Sequence, residues 1–144
     1  VSSIVVGLEA NGRTSFATFK AELQTATLKS VGRQYGIGFS SASSPCLEKL
    51  PFLAVNIEQL PGLLLKQDSG IAALNLDGSS PGLTDEQLLS CVQAARKIAL
   101  ASTRRPAALF LLIDTSTNAS KVTRLLHLLQ NQGISHFYLM AHCQ

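Results

Sequence analysis

The stretch AALFLLI, residues 107–113, is a continuous apolar run of strand length that ends in Asp114. A run without polar alternation suits a strand covered on both faces, near the centre of a sheet. Beyond it, Val122, Leu125, Leu126 and Leu129 repeat at the spacing of an amphipathic helix. Gly133 supplies the left-handed residue that often follows a last helical turn, and SHFYLMA, residues 135–141, reads as a short closing strand. Strand, helix and strand with brief connections imply a right-handed crossover and a parallel pair between the strands around 110 and 138. The expected fold class is α/β (α+β), a mixed sheet with helices packed on it.

The preceding helix announces itself by its start. Thr84, Asp85, Glu86 and Gln87 have the Thr-x-x-Gln spacing of a capping box, with two acids in the first turn to match the helix dipole. Leu88, Val92, Ala95 and Ala99, backed by Leu89, Cys91 and Ile98, draw one apolar stripe over residues 85–102, and Pro106 closes the element. Farther upstream, FLAVNI (52–57) and IAALNLDG (71–78) read as strands, the second ending in an Asp77-Gly78 turn. At the N-terminus SIVVGLE (3–9) is a strand stopped by Asn11-Gly12. Phe16, Phe19, Leu23 and Ala26 then predict a helix over 16–30, capped by Ser15 and ended by Gly32. The Ser-rich stretch 40–44 is the candidate linker. Residues 1–50 read as a strand-helix extension or half-repeat and 51–144 as the main α/β domain, together one compact unit.

With 46% apolar residues over 144 positions, such a unit can bury a core without disulfides or metals. Cys46, Cys91 and Cys143 are odd in number, show no zinc-type spacing and allow at most one intrachain disulfide, which leaves the redox compartment open. Cys91 falls among apolar helical positions and reads as a buried structural thiol. No apolar run approaches the roughly 18–20 residues of a membrane-spanning helix, and VSSIVVGLEANG lacks a charged leader region. Net charge is +3, with its densest basic group at Arg96, Lys97, Arg104 and Arg105 bracketing the end of a helix, where cations favour the dipole. Without aromatic interleaving or a recognition motif, that group does not argue for nucleic acid.

Chemistry has one sharp candidate. Asp114, Ser116 and Asn118 place a carboxylate, a hydroxyl and an amide at the carboxyl end of a parallel strand, where α/β sheets bind ligands. The cluster also resembles the Asp-x-Ser-x-Ser metal loop of von Willebrand factor A-type domains, which needs further acidic ligands downstream; none of the thirty residues after Asp114 is acidic. The alternative is structural: Thr117 or Asn118 caps the next helix and Asp114 satisfies loop amides. A nucleophilic Ser116 would need a positioned base, and His127 falls within the helix, opposite much of its apolar stripe. His136 and His142, six apart, could share one face of the last strand but have no nearby acid or cysteine in sequence. Glycines at 32, 36 and 38 lack the Lys and the strand-to-helix placement of a phosphate loop. Scattered acids give no carboxylate pair for acid/base work. The chain is expected to use no cofactor and no metal.

Taken together, LAVNIEQLPG, IAALNLDG, TDEQLLSCVQAA, PAALFLLID and VTRLLHLLQNQGISHFYLMA resemble the periplasmic domain of ExbD/TolR-type biopolymer transport proteins over residues 52–142. The matching places are Val55 to Pro61, Leu74 to Gly78, Asp85 to Leu89, Leu112 to Asp114 and Leu129 to Gly133. The chain departs from the family at Asn56 to Gln59, and in lacking a Tyr-Gly pair after Asp114. The resemblance implies a non-enzymatic, homodimeric periplasmic domain of a proton-driven membrane complex, tethered by a membrane helix that lies outside this chain and carries the working Asp. It implies protein partners in the cell envelope and no nucleic acid, and it carries Asp114 over only as a structural strand-end residue. Asn118, Gly133, Thr84 and Gln87 are read as structural beside it. Two other readings stand alongside: a small α/β enzyme or metal-binding domain using the Asp114 loop, and an adaptor or subunit domain unrelated to that family.

Overall fold

Hairpin, helix and crossover signals resolve into seven elements in the computed structural model, which describes residues 3–9, 12–18, 20–37, 83–134 and 136–142. In chain order they are β1 (Ser3–Leu8), β2 (Thr14–Thr18), α1 (Ala21–Gln34), α2 (Asp85–Thr103), β3 (Ala108–Asp114), α3 (Ala119–Asn131) and β4 (Tyr138–His142). The strands form one mixed sheet in the order β2-β1-β3-β4. β1 and β2 are antiparallel, while β3 runs parallel to both β1 and β4. Phe110 pairs with Tyr138, so the parallel pair around 110 and 138 stands as its connections required. The strands expected at 52–57 and 71–78, and the Ser-rich linker, lie outside the described residues.

The N-terminal segment corrects the helix expected over 16–30. After β1 the amide of Glu9 donates to the Arg13 carbonyl at 2.9 Å, and Gly12 takes φ +89°, turning the chain straight back into a second strand. In Thr14-Ser-Phe16-Ala-Thr18 the buried residues alternate, as a half-covered strand requires. Ser15 lies opposite Gly7 in the hairpin and caps nothing. The helical spacing from Phe16 to Leu23 is real, but Phe16 belongs to the sheet and Leu23 to α1. The helix starts after Lys20, which has no side-chain cap. Thr18 ties the junction instead: its amide donates to Gln24 Oε1 at 3.2 Å and its hydroxyl to the Lys20 carbonyl at 2.9 Å.

Gly32 does not end α1, which runs on to Gln34. The stop comes at Gly36, φ +73°, where the Ile37 amide reaches the Gly32 carbonyl at 2.7 Å and the Gly36 amide reaches Arg33 at 3.2 Å. These two bonds make a Schellman closure. α3 ends the same way at Gly133, φ +80°, with Ile134 bonded to Leu129 and Gly133 to Gln130. α2 begins with a complete capping box, Gln87 N donating to Thr84 Oγ1 at 3.1 Å and Thr84 N to Gln87 Oε1 at 3.5 Å. It closes on Arg104 at φ 59°.

One face of the sheet carries the core. Ile4, Val6 and Leu8 of β1, Phe16 of β2, and Leu109 and Leu111 of β3 form rows that cluster with Leu28 and Val31 of α1, Leu88, Cys91 and Val92 of α2, and Leu125 and Leu129 of α3. All three described helices therefore pack on the same side. β3 is interior to the described sheet and none of its residues is exposed; the described helices cover the face of Leu109 and Leu111. On the other face Val5, Ser15, Ala17, Phe110 and Leu112 are half-buried, and Phe110 stacks on Tyr138 with ring centroids 5.1 Å apart.

Candidate functional site

β3 delivers Asp114 to the carboxyl end of the parallel strands, where it is buried to 3% exposure. Its Oδ1 accepts from the Ser116 amide at 2.8 Å and from the Ser116 hydroxyl at 2.6 Å, while its carbonyl accepts from the Thr117 amide at 3.0 Å. The side chain thus closes an Asx turn inside a β-turn. Four residues on, the same device recurs. Asn118 Oδ1 accepts from the amide and the hydroxyl of Ser120, both at 2.8 Å, and Asn118 is the N-cap of α3. Thr117 does not cap the helix. The signal for this pair of turns stands in the sequence as Asx-x-Ser written twice, DTS and NAS, four residues apart.

This geometry bears directly on chemistry. Ser116 turns its hydroxyl onto the carboxylate of its own turn, and His127 is exposed on α3. Of the two C-terminal histidines, His136 precedes β4 and is exposed, so the expected placement of both on the last strand is corrected. His142 closes β4 in register with Asp114. Among the described residues there is no group of three or more His, Cys, Asp or Glu placed to hold a metal ion. Cys91 is fully buried in the α2 stripe, and burial pushes its thiol up to about 12. A thiol so far from ionising is not a nucleophile at neutral pH.

Three surface features lie outside this loop. A cavity of about 280 Å³ near the end of β1 is lined by Leu8, Thr14, Asp85, Lys121, Arg124 and Leu125. Its charges offset each other in part, because Arg124 pairs with Asp85. The second is a trough along the seam of α1 and α2, made of two adjoining cavities of about 450 and 520 Å³ that share Ser30 and Ile98. Arg96 and Lys97 lie there, two turns before the end of α2, while Arg104 is its C-cap and Arg105 follows directly.

The third feature is β4. Tyr138, Leu139 and Met140 are 62%, 57% and 50% exposed, on the outermost strand of the described sheet. Tyr138 and Met140 belong to one face and Leu139 to the other, since side chains alternate along a strand. No helix among the described residues is long and apolar enough to cross a membrane. Comparison with protein-family models, with curated proteins and with solved structures finds no match.

Proposed function

We propose that this chain is a non-enzymatic α/β interaction domain that forms a homodimer through β4. The observation that carries the reading is the exposed apolar triplet Tyr138, Leu139 and Met140 on the outermost strand of the described sheet. Outer strands are usually blunted by charge, proline or a bulge against pairing with another chain. YLMAH contains no Lys, Arg, Asp, Glu or Pro. Antiparallel pairing of two copies about Met140 would sit on a twofold axis, join the two described four-stranded sheets into one of eight, and bring no like charges together. Both exposed faces of the strand would gain neighbours.

Analytical ultracentrifugation over a rising concentration series tests this. The expected result is a dimer mass for the wild type and a monomer for Met140→Lys, which places two ammonium groups against each other at the axis. Because Met140 is half exposed within one chain, far-UV circular dichroism of Met140→Lys should stay native. A wild-type protein that remains monomeric at the highest attainable concentration would sink the reading.

The ExbD/TolR resemblance extends the proposal to a periplasmic location in a proton-driven energy-transducing complex, with cell-envelope proteins as partners. Support for this extension is the order of elements from the acidic start of α2, through the strand-end Asp114, to Gly133 and β4. A single apolar helix carrying one Asp ahead of Val1 in the native gene is the expected companion. A different upstream sequence would remove the extension and leave the dimer reading intact.

A second reading, an enzyme or metal-binding site at Asp114, draws on one observation: a buried carboxylate at the carboxyl end of a parallel strand. Thermal melts with and without Mg²⁺ separate the two. With a structural Asp114 the expected result is no Mg²⁺ response. Asp114→Ala should then cost about 1–3 kcal/mol, because the Ser116 amide and hydroxyl lose their acceptor. Asp114→Asn should cost less, since an amide oxygen can still accept. A Mg²⁺-dependent rise in melting temperature that Asp114→Ala abolishes would reverse the choice.

A further inference from the structure

We infer that the trough between α1 and α2 is a docking groove for an acidic, amphipathic helix of a partner protein, separate from the β4 edge. Its two cavities adjoin at Ser30 of α1 and Ile98 of α2, which line both. Among the described residues its charged lining is Lys29 and Arg33 from α1, Arg96 and Lys97 from α2, and one acid, Glu22. None of the four cations forms a salt bridge with an acidic side chain among the described residues. Two cations in each of two adjoining cavities, against one carboxylate among the described lining residues, leave an excess of positive potential along the trough.

The same trough is partly apolar. Ile98 is half-buried, and Leu100 is 50% exposed although α2 already has a complete buried stripe in Leu88, Cys91, Val92, Ala95 and Ala99. Leu100 therefore adds little to the core and is available to a ligand. An apolar floor flanked by cations is complementary to a helix with an apolar stripe edged by Asp and Glu, the helix-in-groove mode of recognition. No aromatic residue is among the described residues that line the trough, so they offer nucleic-acid bases no stacking platform. A concave seam between two helices fits a cylinder better than it fits a flat bilayer.

The test uses the full chain and a fluorescent 14-residue peptide with Leu at helical spacing edged by Glu, beside a twin with Gln in place of every Glu. Anisotropy titrations should show the Glu peptide binding about tenfold tighter than its twin at low salt, with the advantage shrinking as salt screens the charges. Arg96→Glu with Lys97→Glu should remove that advantage, and Leu100→Ser should weaken both peptides. Lys97→Glu alone, at an exposed position, serves if the double variant melts early. Equal affinity for the two peptides, or a charge-reversed variant that binds like the wild type, would overturn the inference. So would tighter binding to vesicles containing phosphatidylserine, or to a single-stranded oligonucleotide, than to the Glu peptide. The dimer mass is expected to be the same in every variant, so failure here is distinguishable from failure of the β4 reading.

Discussion

Replacing Phe16 with alanine is expected to lower the free energy of unfolding by about 3–5 kcal/mol, the range for a large aromatic removed from a filled core. Phe16 is fully buried at the middle of β2, paired with Val6 and in the cluster that joins the sheet to the helices. β2 lies at one end of the described sheet order and touches both α1 and α2, so the void would open where three elements meet. The neighbouring positions supply the contrast. Ser15→Ala, half-buried on the opposite face, should change stability by less than about 1 kcal/mol, since it removes one hydroxyl and no core packing. Urea denaturation reads both, through a shift in midpoint at constant slope. A Phe16→Ala loss below that of Ser15→Ala would mean that residues 14–18 do not alternate as a strand.

Alkaline pH is expected to destabilise the fold through Cys91, whose thiol is raised from 9.0 to about 12 by desolvation. The sign follows from which state holds the proton. Below pH 9 both folded and unfolded chains carry the neutral thiol, and it contributes no pH dependence. Between 9 and 12 the unfolded thiol ionises in water while the buried one keeps its proton, so the unfolded state binds fewer protons and stability falls as pH rises. The slope from this one group approaches about 1.4 kcal/mol per pH unit.

The comparison is with Cys91→Ala, which lacks the thiol and is otherwise identical in its ionisable groups. At neutral pH the alanine variant should be less stable, because it leaves a small void beside Leu88 and Val92. That deficit should narrow by about 1 kcal/mol between pH 9 and pH 10. Parallel stability curves for the two proteins across that interval would show that the thiol ionises equally in both states.

Several parts of the fold were legible because their causes are local. The capping box at Thr84 and Gln87, the Asn118 cap and the Gly133 closure each depend on residues within five positions of one another, and all lie within or beside the helices that the apolar periodicity located. The parallel pairing of β3 with β4 followed from short connections and the handedness of crossovers. The Asp114 loop was half legible. Its turn role was among the readings of the sequence, whereas the doubled Asx-x-Ser turn that carries it emerged with the hydrogen bonds.

What sequence alone determined about this protein is therefore its class, the ends of α2 and α3, and the strand that runs into Asp114. Tertiary structure alone decided that Phe16 joins the sheet, since both a helical and an alternating period pass through that residue and only packing against Val6 and the helices separates them. It decided that β1 lies between β2 and β3, that one face of β3 takes the helices, and that Tyr138, Leu139 and Met140 remain exposed. It also placed Lys29 and Arg33 in a cavity adjoining that of Arg96 and Lys97, which no local pattern connects. The reason is the range of the forces: caps and turns are settled by a few neighbouring hydrogen bonds, while burial and charge convergence depend on which distant elements share a surface.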